Sequence, residues 1–225
     1  MNPFYPVYLD LRGKRCLIFG GNGEAEKKVS GLLIAQAKLE VIALELTPKL
    51  QEQAQSGAFT WRQRGYRIGD LAGAFLAIVA DTSNPKVNQD VYDEAQAQST
   101  LLNVADITHL CTWIAPAVTR RGPVTVAAST GGISPALARR LKDELDASPR
   151  RGTDCCLAWS DGGEVLGAVR ADLRRRGVQV PAARWQACMT EDVLTMCQRG
   201  DTEKAQRILT ERLEAGAQHA APARG

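Results

Sequence analysis

The sequence predicts an α/β protein with a doubly wound parallel sheet, followed by a short strand-helix segment and a C-terminal helical part. Short apolar runs and amphipathic helical stretches alternate from residue 15 to residue 105, which is the pattern of βαβ units on a parallel sheet. The first apolar run ends in glycines, as a tight turn from strand to helix requires. After Pro116 the alternation stops, and from Ser148 onward the pattern is helical only, with glycine and proline breaks.

Each predicted element has a local signal. The predicted strands cover residues 15–20, 39–46, 58–63, 74–80, 101–105 and 123–129. The run at 74–80 is continuously apolar, as expected of a strand that is covered on both faces. Helices are predicted at residues 24–36, from Thr47, at 84–98 and at 134–147. Three of them begin with Thr, Asn or Ser followed by Pro, which supplies a capping side chain and a suitable first residue.

Composition excludes several classes of protein. The 225 residues are 44% hydrophobic and 24% charged, as in folded domains, and a net charge of +3 gives no indication of nucleic-acid binding. No stretch approaches the ~20 apolar residues that a membrane span needs, and the N-terminus lacks the pattern of a secretory signal. The six cysteines have no metal-ligand spacing with the two histidines. We therefore expect a cytoplasmic protein with reduced thiols, no structural zinc and no membrane partner.

The glycine turn after the first strand is similar to the dinucleotide-binding fingerprint of Rossmann-type domains. In that fingerprint one glycine makes the turn, a second lets the backbone approach the pyrophosphate, and a small third residue lets the helix pack on the sheet. The N–H groups at the start of the helix would then bind the phosphates. Asn22 stands where the second glycine is expected, and a tight turn without a ligand is the alternative. The candidate cofactor-binding residues here are Gly20, Gly21, Asn22, Gly23, Glu24 and Ala25.

Glu45 lies at the end of the second predicted strand. An acidic residue at that place would accept hydrogen bonds from the adenosine ribose and would repel a 2′-phosphate, which favours NAD over NADP. An exposed glutamate at a strand end with no ligand is equally compatible with the sequence.

Five segments together resemble the precorrin-2 dehydrogenase / sirohydrochlorin ferrochelatase family, which includes the N-terminal half of the siroheme synthases. The blocks NVAD and STGGISP, which follow a glycine-rich turn in that order, are specific as a set. The resemblance covers residues 1–215, with Asn22 in place of the middle glycine, Thr130 in place of a serine and a shifted order at residues 80–82. The segments are PVYLDLRGKRCL (6–17), GGNGEAEKK (20–28), residues 75–88, NVAD (103–106) and ASTGGISPAL (128–137).

The resemblance implies NAD-dependent oxidation of precorrin-2 to sirohydrochlorin in siroheme biosynthesis, and it leaves open a ferrochelatase activity toward Fe²⁺. The resemblance implies that Asp106 is the catalytic acid, and a carboxylate after a strand at the ligand-binding edge of the sheet can act as a general base. From its position alone, an aspartate that caps a helix or lies in a loop is the simpler alternative. His109 lies near Asp106 and is a candidate base or transient iron ligand, although a structural histidine is the simpler alternative. Further cofactor contacts are expected at Ala80, Asp81 and Thr82.

The STGGISP block and nearby arginines are the candidate substrate-binding residues. A helix start that is rich in N–H donors suits a carboxylate, and arginine binds carboxylates in bidentate geometry. Precorrin-2 is a polyanion, and residues 120–184 contain more arginine than acidic residues. Helix capping and a solvated arginine-rich face are the simpler alternatives. The candidates are Arg120, Ser129, Thr130, Gly131, Gly132, Ser134 and Arg139.

We expect three parts. Residues 1–113 form the NAD-binding Rossmann-type domain, and residues 151–225 form a helical domain. Residues 114–150 form a dimerisation segment, which the resemblance implies is exchanged between protomers of a homodimer. Two other functions stay open: a chelatase that has lost NAD use through Asn22, and a non-catalytic module that binds a dinucleotide or a tetrapyrrole.

Overall fold

The computed structural model describes residues 4–148, 155, 157–215 and 218–219. The chain divides into two units, each with its own hydrophobic core. The first unit comprises residues 1–115 and 130–133, and the second comprises residues 116–129 and 134–225.

A five-stranded parallel sheet forms the centre of the first unit. The strands are Arg15–Phe19 (β1), Lys38–Ile42 (β2), Thr60–Arg62 (β3), Leu76–Val79 (β4) and Leu101–Val104 (β5). Their order in the sheet is β3-β2-β1-β4-β5. The chain adds β2 and β3 on one side of β1 and then β4 and β5 on the other, so the winding direction reverses between β1 and β4. This order confirms the predicted doubly wound sheet.

Helices cover both faces of this sheet. They are Gly23–Ile34 (α1), Pro48–Gln55 (α2) and Pro85–Gln98 (α3). Alternate residues of β1 point to opposite faces, so Ile18 packs with the core under α1 and α2, whereas Leu17 packs with the core under α3. Thr47 and Asn84 cap α2 and α3, and each is followed by proline, as the sequence predicts.

The second strand is shorter than the sequence predicts. The apolar run continues to Leu46, but β2 ends at Ile42. Its neighbour β3 has three residues only, so the edge offers no partner for a longer strand. Leu44 is 69% exposed, while Leu46 folds back into the core at 6% exposure.

The second unit begins with an antiparallel hairpin and a helix. Ala117–Arg121 (β6) pairs with Val124–Ala128 (β7), and Pro135–Ala147 (α4) follows. The sequence predicted β7 and α4 but not β6. In the described residues that follow, a 3₁₀ helix at Ala158–Gly162 and four α-helices are accompanied by two short antiparallel strands, so the prediction of helices only after residue 148 is wrong. These elements are Gly163–Arg175 (α5), Val178–Gln179 (β8), Ala182–Cys188 (α6), Glu191–Arg199 (α7), Thr202–Glu214 (α8) and Gln218–His219 (β9).

Several features bear on the expected class of protein. No helix in the described part of the chain is long and apolar enough to cross a membrane. The described residues contain no group of three or more metal-ligating side chains. Five cysteines in the described ranges are free thiols, while Cys156 and the predicted helix break at residues 149–152 lie outside the described residues.

Candidate functional site

The carboxyl ends of β1 and β4 lie side by side. Phe19 is in register with Val79, and the Phe19 carbonyl accepts hydrogen bonds from the Ala80 N–H at 2.8 Å and the Asp81 N–H at 3.1 Å. The winding direction reverses between these two strands, and open α/β sheets bind ligands at such a point, beyond the carboxyl ends. The structure therefore brings the candidate residues at 20–25 and 80–82 together at one edge of the sheet.

The three glycines of the turn have different roles. Gly20 has a φ of +113°, and a Cβ on it would lie 2.7 Å from the Cβ and N of Asp81. A Cβ on Gly21 would lie 2.0 Å from the Glu45 carbonyl oxygen. The protein itself therefore requires both residues to be glycine. Gly23 differs, because a Cβ there would meet no atom within 4 Å. The start of α1 is therefore open at Gly23, and no packing contact with the described residues explains a glycine there.

Asn22 is both a helix cap and a bridge to β4. Its Oδ1 accepts hydrogen bonds from the N–H groups of Glu24 and Ala25, each at 3.1 Å, and its Nδ2 donates to the Ala80 carbonyl at 3.2 Å. Its φ of −88° is extended, so the position does not need left-handed freedom. Two N–H groups that the sequence assigned to phosphate therefore already have an acceptor. A phosphate that used them would have to displace the Asn22 amide.

The acidic residues of α1 are neutralised locally. Partial burial opposes ionisation of Glu24, but hydrogen bonds from Lys27 at 2.9 Å and Lys28 at 3.1 Å lower the pKa of its carboxyl group. The Glu26 carboxylate accepts a hydrogen bond from Thr47 Oγ1 at 2.6 Å and lies 3.8 Å from Lys49 Nζ, which supplies the opposite charge. These pairings reduce the repulsion that the two carboxylates would exert on a phosphate at the start of the helix.

Glu45 lies three residues beyond the end of β2, whereas the sequence predicted it near the end of a strand that continues to Leu46. Its backbone carbonyl faces Gly21, which places it beside the glycine turn. The side chain is exposed, and the described residues give its carboxylate no hydrogen-bond or ion-pair partner. It is thus able to accept hydrogen bonds from ribose hydroxyls.

The loop after β4 is ordered by short-range hydrogen bonds. Asp81 Oδ1 accepts from the Ser83 N–H at 3.1 Å, and the Thr82 carbonyl accepts from Asn88 Nδ2 at 3.1 Å. Asn88 is almost fully buried in α3. The buried side-chain amide of Asn88 therefore holds the candidate cofactor loop at residues 80–82 in place, a role that the sequence did not indicate.

Asp106 lies at the tip of a tight turn after β5. The Ala105 N–H donates to the Val79 carbonyl at 2.9 Å, which extends the sheet ladder, and the Ile107 N–H donates to the Val104 carbonyl at 3.2 Å. Asp106 has a φ of +60°, a left-handed conformation that is uncommon outside glycine and is best tolerated by Asn and Asp. It is exposed, and its carboxylate has no partner among the described residues. Such a group can accept a proton from a ligand in the crevice.

Side chains beyond the turn tie the Asp106 loop to β5. The Val104 N–H donates to Cys111 Sγ at 3.2 Å, and the Leu102 N–H donates to Thr112 Oγ1 at 2.8 Å. Asn103 Nδ2 donates to the Trp113 carbonyl at 3.1 Å. The asparagine of the NVAD block is therefore an anchor of this loop. The sequence did not predict these hydrogen bonds. His109 lies in the same loop, exposed in the 3₁₀ helix Thr108–Leu110.

Part of the STGGISP block belongs to the first unit. Gly131 and Gly132 have φ angles of +67° and +87°, so the chain makes a sharp turn there. A Cβ on Gly132 would lie 3.4 Å from Thr108 Cγ2. Because Thr108 follows Asp106 by two residues, the candidate substrate loop at Thr130–Ile133 lies next to the Asp106 loop.

The remaining substrate candidates lie in the second unit. Ser134 Oγ accepts a hydrogen bond from the Leu137 N–H at 3.2 Å and caps α4, as the sequence predicts. Arg120 on β6 and Arg139 on α4 are exposed, and within the described ranges neither forms an ion pair. Ser129 ends the hairpin segment of this unit.

Comparisons with known proteins agree with this arrangement. A family model described as "Putative NAD(P)-binding" matches residues 7–117, and one described as "Sirohaem biosynthesis protein central" matches residues 121–148. A siroheme synthase of Nitrosococcus oceani is 34% identical over 215 residues, which are 95% of this chain and 44% of that protein. The chain is a relative of the siroheme synthases. A second one, from Methylococcus capsulatus, is 34% identical over 99% of this chain and 46% of its own length.

The siroheme synthase relationship confirms the family resemblance seen in the sequence, and the first unit is a nicotinamide-dinucleotide-binding domain. The chain spans less than half the length of these relatives. A solved structure named "SirC, precorrin-2 dehydrogenase" has a TM-score of 0.70 at 24% identity and covers 91% of this chain and 100% of its own. That likeness confirms the fold.

Proposed function

We propose that this protein oxidises precorrin-2 to sirohydrochlorin with NAD⁺ as the hydride acceptor. The observation that carries the proposal is an exposed, unpartnered carboxylate, Asp106, at the same sheet edge as a glycine turn with open space at Gly23. The siroheme synthase relatives and the precorrin-2 dehydrogenase of similar fold support this substrate.

The residues divide the chemistry as follows. Bound NAD⁺ supplies the hydride-accepting chemistry, and the protein supplies position and electrostatics. The substrate loses a hydride and a proton, and Asp106 accepts the proton. The start of α1 at Gly23 holds the pyrophosphate. Glu45 binds the ribose hydroxyls and disfavours a 2′-phosphate, which supports NAD over NADP.

The substrate is held through its carboxylates. The turn at Gly131 and Gly132 lies beside the Asp106 loop, and Ser129 and Ser134 flank it in the sequence, so this segment is the proposed contact for one substrate carboxylate. Arg120 and Arg139 are available for bidentate pairs with further carboxylates. We also propose that residues 114–150 act as the dimerisation segment of a homodimer, between a cofactor domain at 1–113 and a helical domain at 151–225.

Chelation of Fe²⁺ by sirohydrochlorin is a second candidate activity. The Asn22 cap favours it, because a helix start that is already capped binds phosphate less well than a free one. In this activity Asp106 would take up protons that leave the pyrrole nitrogens. An iron-dependent change in the absorption spectrum of sirohydrochlorin, without added NAD⁺, measures it directly.

Anaerobic incubation of the purified chain with precorrin-2 and NAD⁺ tests the main proposal. We expect one NADH for each sirohydrochlorin formed, and a much lower rate with NADP⁺. Omission of NAD⁺ is the control. A folded protein that forms no NADH contradicts the proposed oxidation. A protein that uses NAD⁺ and NADP⁺ equally well contradicts the proposed cofactor choice.

A further inference from the structure

The second unit contains a groove whose lining residues have no role in the proposed reaction. It lies between α5, β8 and α6 and has a volume of about 800 Å³. Pockets of roughly 300–1,000 Å³ are the size that binds small organic molecules. The residues that matter most for its chemistry are Leu166, Gly167, Arg170, Arg174, Val180 and Trp185.

The walls of the groove are mainly apolar and include a flat aromatic surface. Leu173 and Val178 are buried beneath it, and Trp185 and Met189 are half-buried at its side. Tryptophan offers a large rigid face on which a planar ligand can stack. All the lining residues of the groove come from residues 163–189. The surface of the groove is therefore smaller than the area that a stable protein partner usually buries. Its size and shape favour a small planar ligand.

Two arginines on one face of α5 give the groove a positive rim. Arg170 and Arg174 are one helical turn apart and exposed, and no carboxylate in the described part of the chain pairs with them. The next two residues differ, since Arg175 and Arg176 pair with Asp172 at 3.0 Å and 2.9 Å. Like charges one turn apart destabilise a helix slightly. The helix dipole favours a cation at Arg174, which lies in the last turn of α5, but no described carboxylate neutralises either guanidinium, so both are available to an anionic ligand.

Gly167 leaves a gap in the same wall. It lies in the middle of α5, where glycine costs about 1 kcal/mol relative to alanine, yet a Cβ there would meet no atom within 4 Å. Gly163 on the same helix is different, because its Cβ would lie 2.2 Å from the Pro123 ring. Packing therefore requires glycine at 163 but not at 167. Gly167 is exposed and lines the groove, so the missing side chain leaves room there for a ligand.

We propose that this groove is a second binding site, for a planar macrocycle that carries several carboxylates. This is the chemical class of the proposed substrate and product, so the inference rests on the proposed function. The face of the macrocycle packs on Trp185 and over Gly167, and its carboxylates pair with Arg170 and Arg174. Such a site would bind one tetrapyrrole molecule in addition to the molecule that reacts near Asp106.

Binding of uroporphyrin, a stable and fluorescent porphyrin polycarboxylate, to the full chain tests this proposal. Equilibrium dialysis gives the stoichiometry and the Kd. We expect two bound molecules per chain, and Arg170→Gln/Arg174→Gln to weaken one of them about tenfold. The control is Arg199→Gln/Arg207→Gln, which removes two exposed arginines from the same unit outside the groove and should leave both sites intact.

A third variant separates loss of the ligand from loss of the fold. Gly167→Leu fills the gap with a better helix former, so α5 should become more stable while groove binding falls at least tenfold. Thermal unfolding without ligand checks the stability. The proposal is overturned if Gly167→Leu and the Arg170/Arg174 variant both bind uroporphyrin with wild-type stoichiometry and affinity. It is also overturned if the wild-type chain binds no uroporphyrin.

The outcome is distinguishable from failure of the proposed function. One bound molecule that is lost in the Arg170/Arg174 variant supports the groove and counts against a substrate site near Asp106. One bound molecule that the variant retains overturns the groove and leaves the reaction site standing. Formation of NADH from precorrin-2 by the wild-type chain reports on the proposed function alone.

Discussion

Replacement of Gly23 by alanine tests whether the open space at the start of α1 belongs to the cofactor. Apart from its chain neighbours and the backbone of its own helix, no described residue places an atom within 4 Å of the new Cβ, and the backbone at Gly23 is helical. Alanine at this place should leave the free energy of unfolding unchanged or raise it by about 0.5–1 kcal/mol, because it restricts the unfolded chain. The added methyl group would, however, occupy space that the pyrophosphate needs.

The expected loss of cofactor affinity follows from overpacking. Forcing a methyl-sized group into a close contact costs about 1–3 kcal/mol, which is roughly a 5- to 150-fold increase in the Kd for NAD⁺. Titration calorimetry measures the Kd, and thermal unfolding without NAD⁺ measures the stability. Gly23→Ala should thus separate the two properties, with binding impaired and the fold intact.

Gly21→Ala is the matched control. Its Cβ would lie 2.0 Å from the Glu45 carbonyl oxygen, so backbone must move and stability should fall by about 1–3 kcal/mol. In a chain of this size that corresponds to a melting temperature lower by about 2–4 °C for each kcal/mol. If Gly23→Ala binds NAD⁺ like the wild type, or loses stability as Gly21→Ala does, the assignment of this space to the cofactor is refuted.

Three further substitutions test other parts of the account. Asn22→Ala removes a helix cap, so the free energy of unfolding should fall by about 1 kcal/mol in a denaturant titration. The freed N–H groups should lower the Kd for NAD⁺ a few-fold, and weaker binding would contradict this. Glu45→Gln removes the charge that repels a 2′-phosphate and should raise the ratio of NADP⁺ to NAD⁺ affinity about tenfold in titrations, whereas an unchanged ratio counts against its ribose role. Burial opposes ionisation of Glu40, but Arg15 and Arg62 lower the pKa of its carboxyl group from the ordinary value of 4.5. Glu40 therefore contributes to the free energy of unfolding, measured in urea, above pH 4.5, and this contribution is lost as the pH falls through the lowered pKa. Glu40→Gln should cost about 2 kcal/mol at neutral pH and flatten this acid dependence.

Local signals predicted most of the fold. Thr47, Asn84 and Ser134 each cap a helix that begins with proline, because a capping side chain acts within three residues of its own position. The doubly wound sheet followed from the alternation of strands and helices along the chain and the handedness of βαβ connections, whereas the strand order comes from the structure. Since the carboxyl ends of parallel strands meet at one edge, the sequence also indicated where the glycine turn and Asp106 would lie.

The missed elements depend on contacts that the sequence pattern does not carry. β6 ends in Arg120 and Arg121, so its apolar alternation is weak, and pairing with β7 across Gly122 forms it. β8 and β9 have two residues each, too few for any periodicity. Asn22 occupies a glycine position of the dinucleotide fingerprint, but its role in the structure is the ordinary one of an asparagine before a helix, which is to cap it. Cys111 holds the Asp106 loop from seven residues beyond β5, a tertiary contact without a motif.

The most direct test of the account is the rate of precorrin-2 oxidation by Asp106→Asn. The amide matches the carboxylate in size and, like aspartate, tolerates the left-handed backbone at this turn, so the fold and the Kd for NAD⁺ should stay at wild-type values. Without a proton acceptor, kcat for NADH formation should fall about 100-fold or more. A variant that forms NADH at the wild-type rate would contradict the role assigned to Asp106.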